Sequence, residues 1–290
     1  MVTGDEGGFT LIIDVHIHIG WVRSAAWNVR GWFYADLEDL QAYMDECDVE
    51  KVVALSVPEG CDPWVNVVSN EMLVKMVFGK EKILPFCAVD PRTDRAAERF
   101  NRLVGMGCKG LGEFKVPLRA DDEGVMRILK IADDYGLPVV FHMEDDRYFY
   151  GVDALERILL TFPDIKFIAH GPGWWRRISS EPVKESYPKG KIRAEGDVQR
   201  LLRRYTNIYA DISATSGLTA LSRDPVYAKK FLNEFSDRIL FGTDFPCFAA
   251  DGGVFGLNRK HLRFLRSLDL PNDVLQKILK LNAERIICTE

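Results

Sequence analysis

Apolar residues along this chain fall into two alternating rhythms. Short runs rich in Val, Ile and Phe recur eight times: "LIIDVHIHI" (11–19), "KVVALSV" (51–57), "ILPFCAV" (83–89), "CKGLGEF" (108–114), "PVVFHM" (138–143), "IKFIAH" (165–170), "NIYADIS" (207–213) and "RILFGTDF" (238–245). Stretches of helical period lie between them. In "DLEDLQAYMDEC", Leu37, Leu40 and Met44 recur at spacings of three and four behind Asp36, a natural N-cap. In "DDEGVMRILKIADDYG", Val125, Ile128, Leu129 and Ala132 form one stripe that stops at Gly136. "VDALERILLTFP" and "DPVYAKKFLNEF" behave alike. Strand-like runs separated by helices long enough to return the chain predict parallel strands, and eight of them predict a closed (β/α)8 TIM barrel of the α/β class. Such a barrel takes roughly 250 residues, so a single domain over residues 1–290 accounts for the chain. The longest irregular connection, 171–197, is expected to lie over the barrel mouth, since long loops in compact domains are usually functional.

The first run interrupts its apolar pattern with Asp14, His16 and His18 at alternate positions. Side chains two apart on a regular strand share a face, so all three are expected on one side, with Ile13, Val15, Ile17 and Ile19 on the other. Alone, an H-x-H pair is as compatible with a solvated edge strand as with a metal site. The remaining histidines change that weighting. His142 lies near the end of the fifth run and His170 closes the sixth, while only His261, in "NRKHLRFLRS", falls on a predicted helix. Active sites in this fold lie at the C-terminal ends of the strands. Four of five histidines therefore fall at the functional rim, joined by Glu113 at the end of the fourth run and Asp244 in "FGTDFP" after the eighth. Imidazoles with carboxylates suit Zn²⁺, and also Mn²⁺, Fe²⁺ or Ni²⁺.

Composition narrows the partners. A formal charge of -5 and a pI near 5.7 argue against a broad nucleic-acid footprint or an anionic membrane surface. No stretch reaches the 18 or so apolar residues of a membrane span. The six cysteines lack C-x-x-C spacing and several sit in apolar runs, which predicts reduced thiols and a cytoplasmic setting. The acidic, glycine-bearing start "MVTGDEGGFT" does not read as a secretory signal.

His16-x-His18 after strand one, His142 after strand five, His170 after strand six and Asp244 after strand eight resemble the metal-binding set of the amidohydrolase superfamily. The closing "LKLNAERII" is similar to a final helix common in that superfamily, and the chain length with "FGTDFP" is similar to its amidohydrolase-related branch of lactonases and metal-dependent decarboxylases. The resemblance implies one or two divalent ions. His16, His18 and Asp244 would hold one, with His142 joining them in a mononuclear site or pairing with His170 around a second ion. Glu113, at the strand-four position, would bridge two ions, with a carboxylated Lys115 as the alternative bridge and a charged cluster with Lys115 or Lys109 as the structural alternative.

The implied reaction is hydrolysis of a small lactone, ester or amide by metal-activated water. Asp244 would act as proton shuttle and His170 as oxyanion donor where it is not a ligand. The alternative is decarboxylation of a small cyclic or unsaturated acid. A metal-dependent deoxyribonuclease is disfavoured by the acidic pI. For substrate binding, Trp21 and Arg23, together with Trp27, Arg30 and Trp32, come from the first loop, Lys115 from the fourth strand, Arg147 from the fifth loop, and Trp174 and Arg176 from the sixth. Aromatic walls with guanidinium groups suit a small flat carboxylate. The same residue types would equally serve a homo-oligomer interface.

Overall fold

The computed structural model describes residues 11–23, 31–63, 65–181 and 185–288. Eight strands, Ile12–Ile17, Val49–Leu55, Ile83–Cys87, Gly110–Phe114, Val139–His142, Phe167–His170, Ile208–Asp211 and Ile239–Leu240, form one sheet in chain order. Every pairing is parallel. The ends meet: the Val15 amide donates to the Phe241 carbonyl (3.0 Å) and the Asp244 amide to that of His16 (2.8 Å). The eight apolar runs are thus the eight staves of a (β/α)8 barrel.

The helices start and stop where local chemistry asks. Asp36 caps Leu37–Glu46, accepting from the Glu38 and Asp39 amides, while Asp39 reaches back to the Asp36 amide. Asp122 caps Glu123–Asp134, and Gly136 follows at φ 64°, a left-handed turn that suits glycine. Inside the barrel, Ile13, Val15, Val53, Leu55, Phe86, Val140, Ile168 and Leu240 pack together, and Ala283, Ile286 and Ile287 of the closing helix stopper that core. A larger apolar layer fills the space between strands and helices.

Register shifts on the first and fourth strands depart from the regular alternation. On the first strand, Asp14 pairs with Val52 and Ile17 with Ala54, three steps against two. Ile13 and Val15 consequently face the barrel interior while Ile12 and Ile17 face the helix layer. Asp14 does not share a face with His16 and His18, contrary to the expectation from strict period two. Its carboxylate turns to the helix layer, accepting from Tyr43 (2.7 Å) and from the hydroxyl and amide of Thr243 (2.5 and 3.1 Å). The fourth strand repeats the device, Leu111 pairing with Val139 and Phe114 with Phe141, so that Leu111 and Phe114 pack outward and Glu113 turns to the mouth. Irregularities of register re-aim side chains in this way next to functional sites.

A small antiparallel sheet of Gly20–Arg23, Trp32–Ala35 and Val65–Val67 stands beside the mouth. Strands of three or four residues are too short to show a period, which is why the sequence pattern left them out. The 171–197 connection opens with the short helix Pro172–Trp175 and a 3₁₀ turn at Arg176–Ile178. Among the described residues no helix is long and apolar enough to cross a membrane.

Candidate metal centre at the barrel mouth

Four imidazoles meet at the C-terminal rim, with ring centroids 5.2 Å apart for His16 and His18, 4.3 Å for His16 and His170, and 5.2 Å for His142 and His170. Each is anchored through Nδ1. His16 Nδ1 lies 2.8 Å from Asp211 Oδ2, His18 Nδ1 2.9 Å from the Leu55 carbonyl and His142 Nδ1 2.7 Å from Glu113 Oε1. His170 Nδ1 lies 2.8 Å from the Ser213 hydroxyl and 3.2 Å from Asp211 Oδ1. Ser213 donates its own proton to Asp211. Acceptors at every Nδ1 place the proton there and leave the Nε2 lone pairs for another partner.

His16 Nε2 and His142 Nε2 are buried without any hydrogen-bond partner. Buried polar atoms are nearly always paired. Asp244 Oδ1 approaches the same space, 3.3 Å from His18 Nε2 and 3.7 Å from His16 Nε2, and Glu113 Oε2 lies 3.6 Å from His18 Nε2. Among the described residues three donor groups could each hold an ion: His16, His18 and Glu113; His16, His170 and Asp211; Glu113, His142 and His170. Gly171 keeps the approach open, since at its φ of 98° a Cβ would stand 3.1 Å from His142 Nε2.

The electrostatics fit a cation. Burial opposes charge on His16, yet Asp211 above all, then Asp244 and Glu113, raise its pKa to about 9. The ring is therefore held protonated at neutral pH unless a metal replaces the proton. Burial lowers the pKa of His170, against the pull of Asp211. Although burial works against their ionised forms, His142 holds Glu113 well below the usual carboxylate range, and His18 and His16 lower Asp244. Asp211 also stays ionised against burial, through His170 and His16.

Beside these donors opens a cavity of about 380 Å³. Lys115 and Arg147 line it. Lys115 Nζ pairs with Asp62 at 2.5 Å and sits 5.2 Å from the Tyr148 ring centre. Arg147 lies over the same ring at 4.9 Å and reaches Glu144 at 3.4 Å. The charged cluster expected for Glu113 with Lys115 thus forms differently, Glu113 bonding His142 and Lys115 bonding Asp62.

The other expected substrate contacts lie elsewhere. Trp174 is 1% exposed and packs in the core, since the helix Pro172–Trp175 turns it inward. Arg176 is tied to Asp145. Trp21 is exposed and rests on Tyr34 on the outer face of the small sheet, with Trp32 exposed nearby. Arg23 ends that strand, whereas Trp27 and Arg30 lie outside the described residues. His261 is buried on a helix as expected, Lys260–Ser267, with its Nε2 3.0 Å from the Ala214 carbonyl.

Asp211 escaped the sequence reading. The usable signal was the one applied to Glu113 and Asp244, an acid closing an apolar strand, here in "NIYADIS". Because it orients two imidazoles at once, Asp211→Asn should lower metal affinity about 10- to 100-fold, the usual cost of losing an outer partner of a metal-ligating histidine. Competition with a chromogenic chelator would measure this, and unchanged affinity would remove that role.

A barrel with a histidine–carboxylate cluster at its C-terminal mouth defines the class of protein. Residues 70–287 match the sequence profile of the Amidohydrolase family, and the chain belongs to it. No curated protein matches the sequence. Solved structures show the same fold along the whole length. A probable 2-pyrone-4,6-dicarboxylic acid hydrolase of Acinetobacter baumannii aligns with TM-score 0.60 at 13% identity, covering 96% of this chain and 99% of its own. An amidohydrolase of Burkholderia multivorans with bound zinc gives TM-score 0.62 at 14% identity, covering 97% and 100%. 2,6-Dihydroxybenzoate decarboxylase from Rhizobium gives 0.56 at 15%, covering 96% and 99%.

Proposed function

We propose that the protein is a metal-dependent hydrolase of small lactones, esters or amides, the substrate bearing a carboxylate. The observation that carries this reading is the pair of buried Nε2 atoms on His16 and His142 that have no hydrogen-bond partner, the first 3.7 Å from Asp244, which itself lies 3.3 Å from His18 Nε2, and the second 3.8 Å from Glu144. His16, His18, His142 and Asp244 would hold one divalent ion, most simply Zn²⁺. Glu113 stands where it could be shared with a second ion near His142 and His170.

Bound there, a divalent ion supplies Lewis acidity toward an acyl oxygen and acidifies a water at neutral pH. The residues supply the rest. Asp244, ionised and at the edge of the cavity, takes the proton of the attacking water and returns it to the leaving group. His170, kept neutral by burial and with its Nδ1 anchored, presents Nε2 to the reacting centre. Where that nitrogen is free of metal, it is positioned to exchange a proton with the leaving group or the acyl oxygen. Val22, Val65, Phe248 and Phe255 form an apolar part of the cavity wall.

Decarboxylation is the second reading, since the same donors can seat a carboxylate beside an electrophilic centre. Turnover of a panel of carboxylate-bearing lactones, esters and amides in ¹⁸O water, with parallel carbon dioxide detection on aromatic and unsaturated acids, separates the two. Hydrolysis predicts one ¹⁸O in the product acid. Gas release without ¹⁸O uptake would transfer the assignment to the decarboxylase reading.

A further inference from the structure

Both cations on the cavity wall are already committed, Lys115 to Asp62 and Arg147 to Glu144. Uncommitted hydrogen-bond donors lie on another part of the wall, where the helix Ala214–Ser222 begins and Ala214, Thr215 and Ser216 face the cavity. The N-cap residue Ser213 gives this helix no side-chain cap, because its hydroxyl is engaged with Asp211 and His170. The Ala214 amide donates to the Thr243 carbonyl and the Gly217 amide to that of Ser213, both at 3.2 Å. The Thr215 and Ser216 amides find no acceptor among the described residues. An independent observation coincides with them: Ser216 is only 4% exposed, and its hydroxyl is buried without a hydrogen-bond partner. A buried hydroxyl with no protein partner on a cavity wall is free to donate to a ligand that enters the cavity.

We infer that the amino end of the helix Ala214–Ser222, with the Thr215 and Ser216 amides and the Ser216 hydroxyl, is the seat of the substrate's carboxylate. The partial positive charge of a helix start favours an anion there, and free amides give it direction. Among the described residues Asp211 is the one acid bonded at this end, and its oxygens are already held by His16, His170, Ser213 and the Ser213 amide. Ser213 touches His170 and Ala214 is tied to Thr243, next to Asp244. A carboxylate held at the helix start therefore puts the rest of a small molecule against the metal donors. This rests on the proposed hydrolase reading for what happens next, but not for the binding itself.

Benzoate, with neutral benzamide as its counterpart, tests the seat by calorimetric titration of the protein as isolated and after chelation, with metal content measured on each sample. Ser216→Asp puts a negative charge in the seat, and at the third helical position an acid suits the helix dipole, so the fold is kept. Benzoate affinity should fall at least about tenfold, while benzamide binding is unchanged. Ser216→Ala, which removes only the hydroxyl, should weaken benzoate about three- to tenfold and serves should the Asp variant not fold. No benzoate binding to the wild type, or equal affinity in wild type and both variants, overturns the inference. Benzoate binding that vanishes on chelation yet ignores Ser216 likewise overturns it and leaves the metal reading standing. Dependence on Ser216 in protein that holds no metal upholds the seat while failing the metal reading.

Discussion

His16→Ala should yield a protein that has lost its metal and its turnover together, and that is also measurably less stable. The two losses have different origins. Metal is lost because a buried Nε2 with no protein partner is removed from the donor set. Stability is lost because Asp211 Oδ2, fully buried, no longer has the ring at 2.8 Å that offsets its charge. Leaving a buried group without its partner costs on the order of 1 to 3 kcal/mol, more for a charge. His18→Ala provides the contrast. Its Nδ1 is anchored on the Leu55 carbonyl, a neutral acceptor, so it should lose metal and turnover with a smaller drop in melting temperature. Elemental analysis beside thermal melts of the two variants checks the pair. Full activity in metal-free His16→Ala would remove the basis of the hydrolase reading, and equal destabilisation in both would detach Asp211 from its role.

The barrel was legible because its signal is redundant. Eight apolar runs and the stripes between them each repeat the same message, and a chain-order parallel sheet needs nothing further. The rim histidines were legible for a related reason: strand ends are easy to find, and chemistry gathers at one end of this fold. Asp14 shows where that logic fails. Period two holds for a regular strand, but one extra residue between Asp14 and Ile17 reverses the alternation, and nothing in "IIDVHI" marks the register shift. Trp174 and Arg176 fail differently. Their nearness to His170 in sequence suggested a pocket wall, yet a one-turn helix at Pro172–Trp175 swings the tryptophan inward and carries the arginine to Asp145. Loop direction depends on tertiary contacts that composition does not encode. The pairing of Lys115 with Asp62, 53 positions away in sequence, is of the same kind.

Asp244→Asn should retain much of the metal and lose about 10²- to 10⁴-fold in kcat, the scale of general acid–base catalysis. Asparagine keeps an oxygen for the ion but has no proton affinity to offer the attacking water. The backbone favours the exchange as a clean test. Asp244 sits at φ 69°, a left-handed conformation that Asn adopts as readily as Asp, and its amide bond to the His16 carbonyl does not involve the side chain. Substrate contacts on the cavity wall are untouched, so the change should fall on kcat with KM little altered. The pH profile adds a second readout. Burial opposes its ionised form, but His18 and His16 hold the Asp244 carboxyl below its ordinary pKa. As the base of the wild type, it is lost only when pH falls through that lowered value. The variant, with no carboxyl at this position, should therefore lose the acidic limb that Asp244 contributes. Losses of metal and rate in equal proportion, repaired by excess ion, would reduce Asp244 to a ligand and leave His170 as the group that moves the proton.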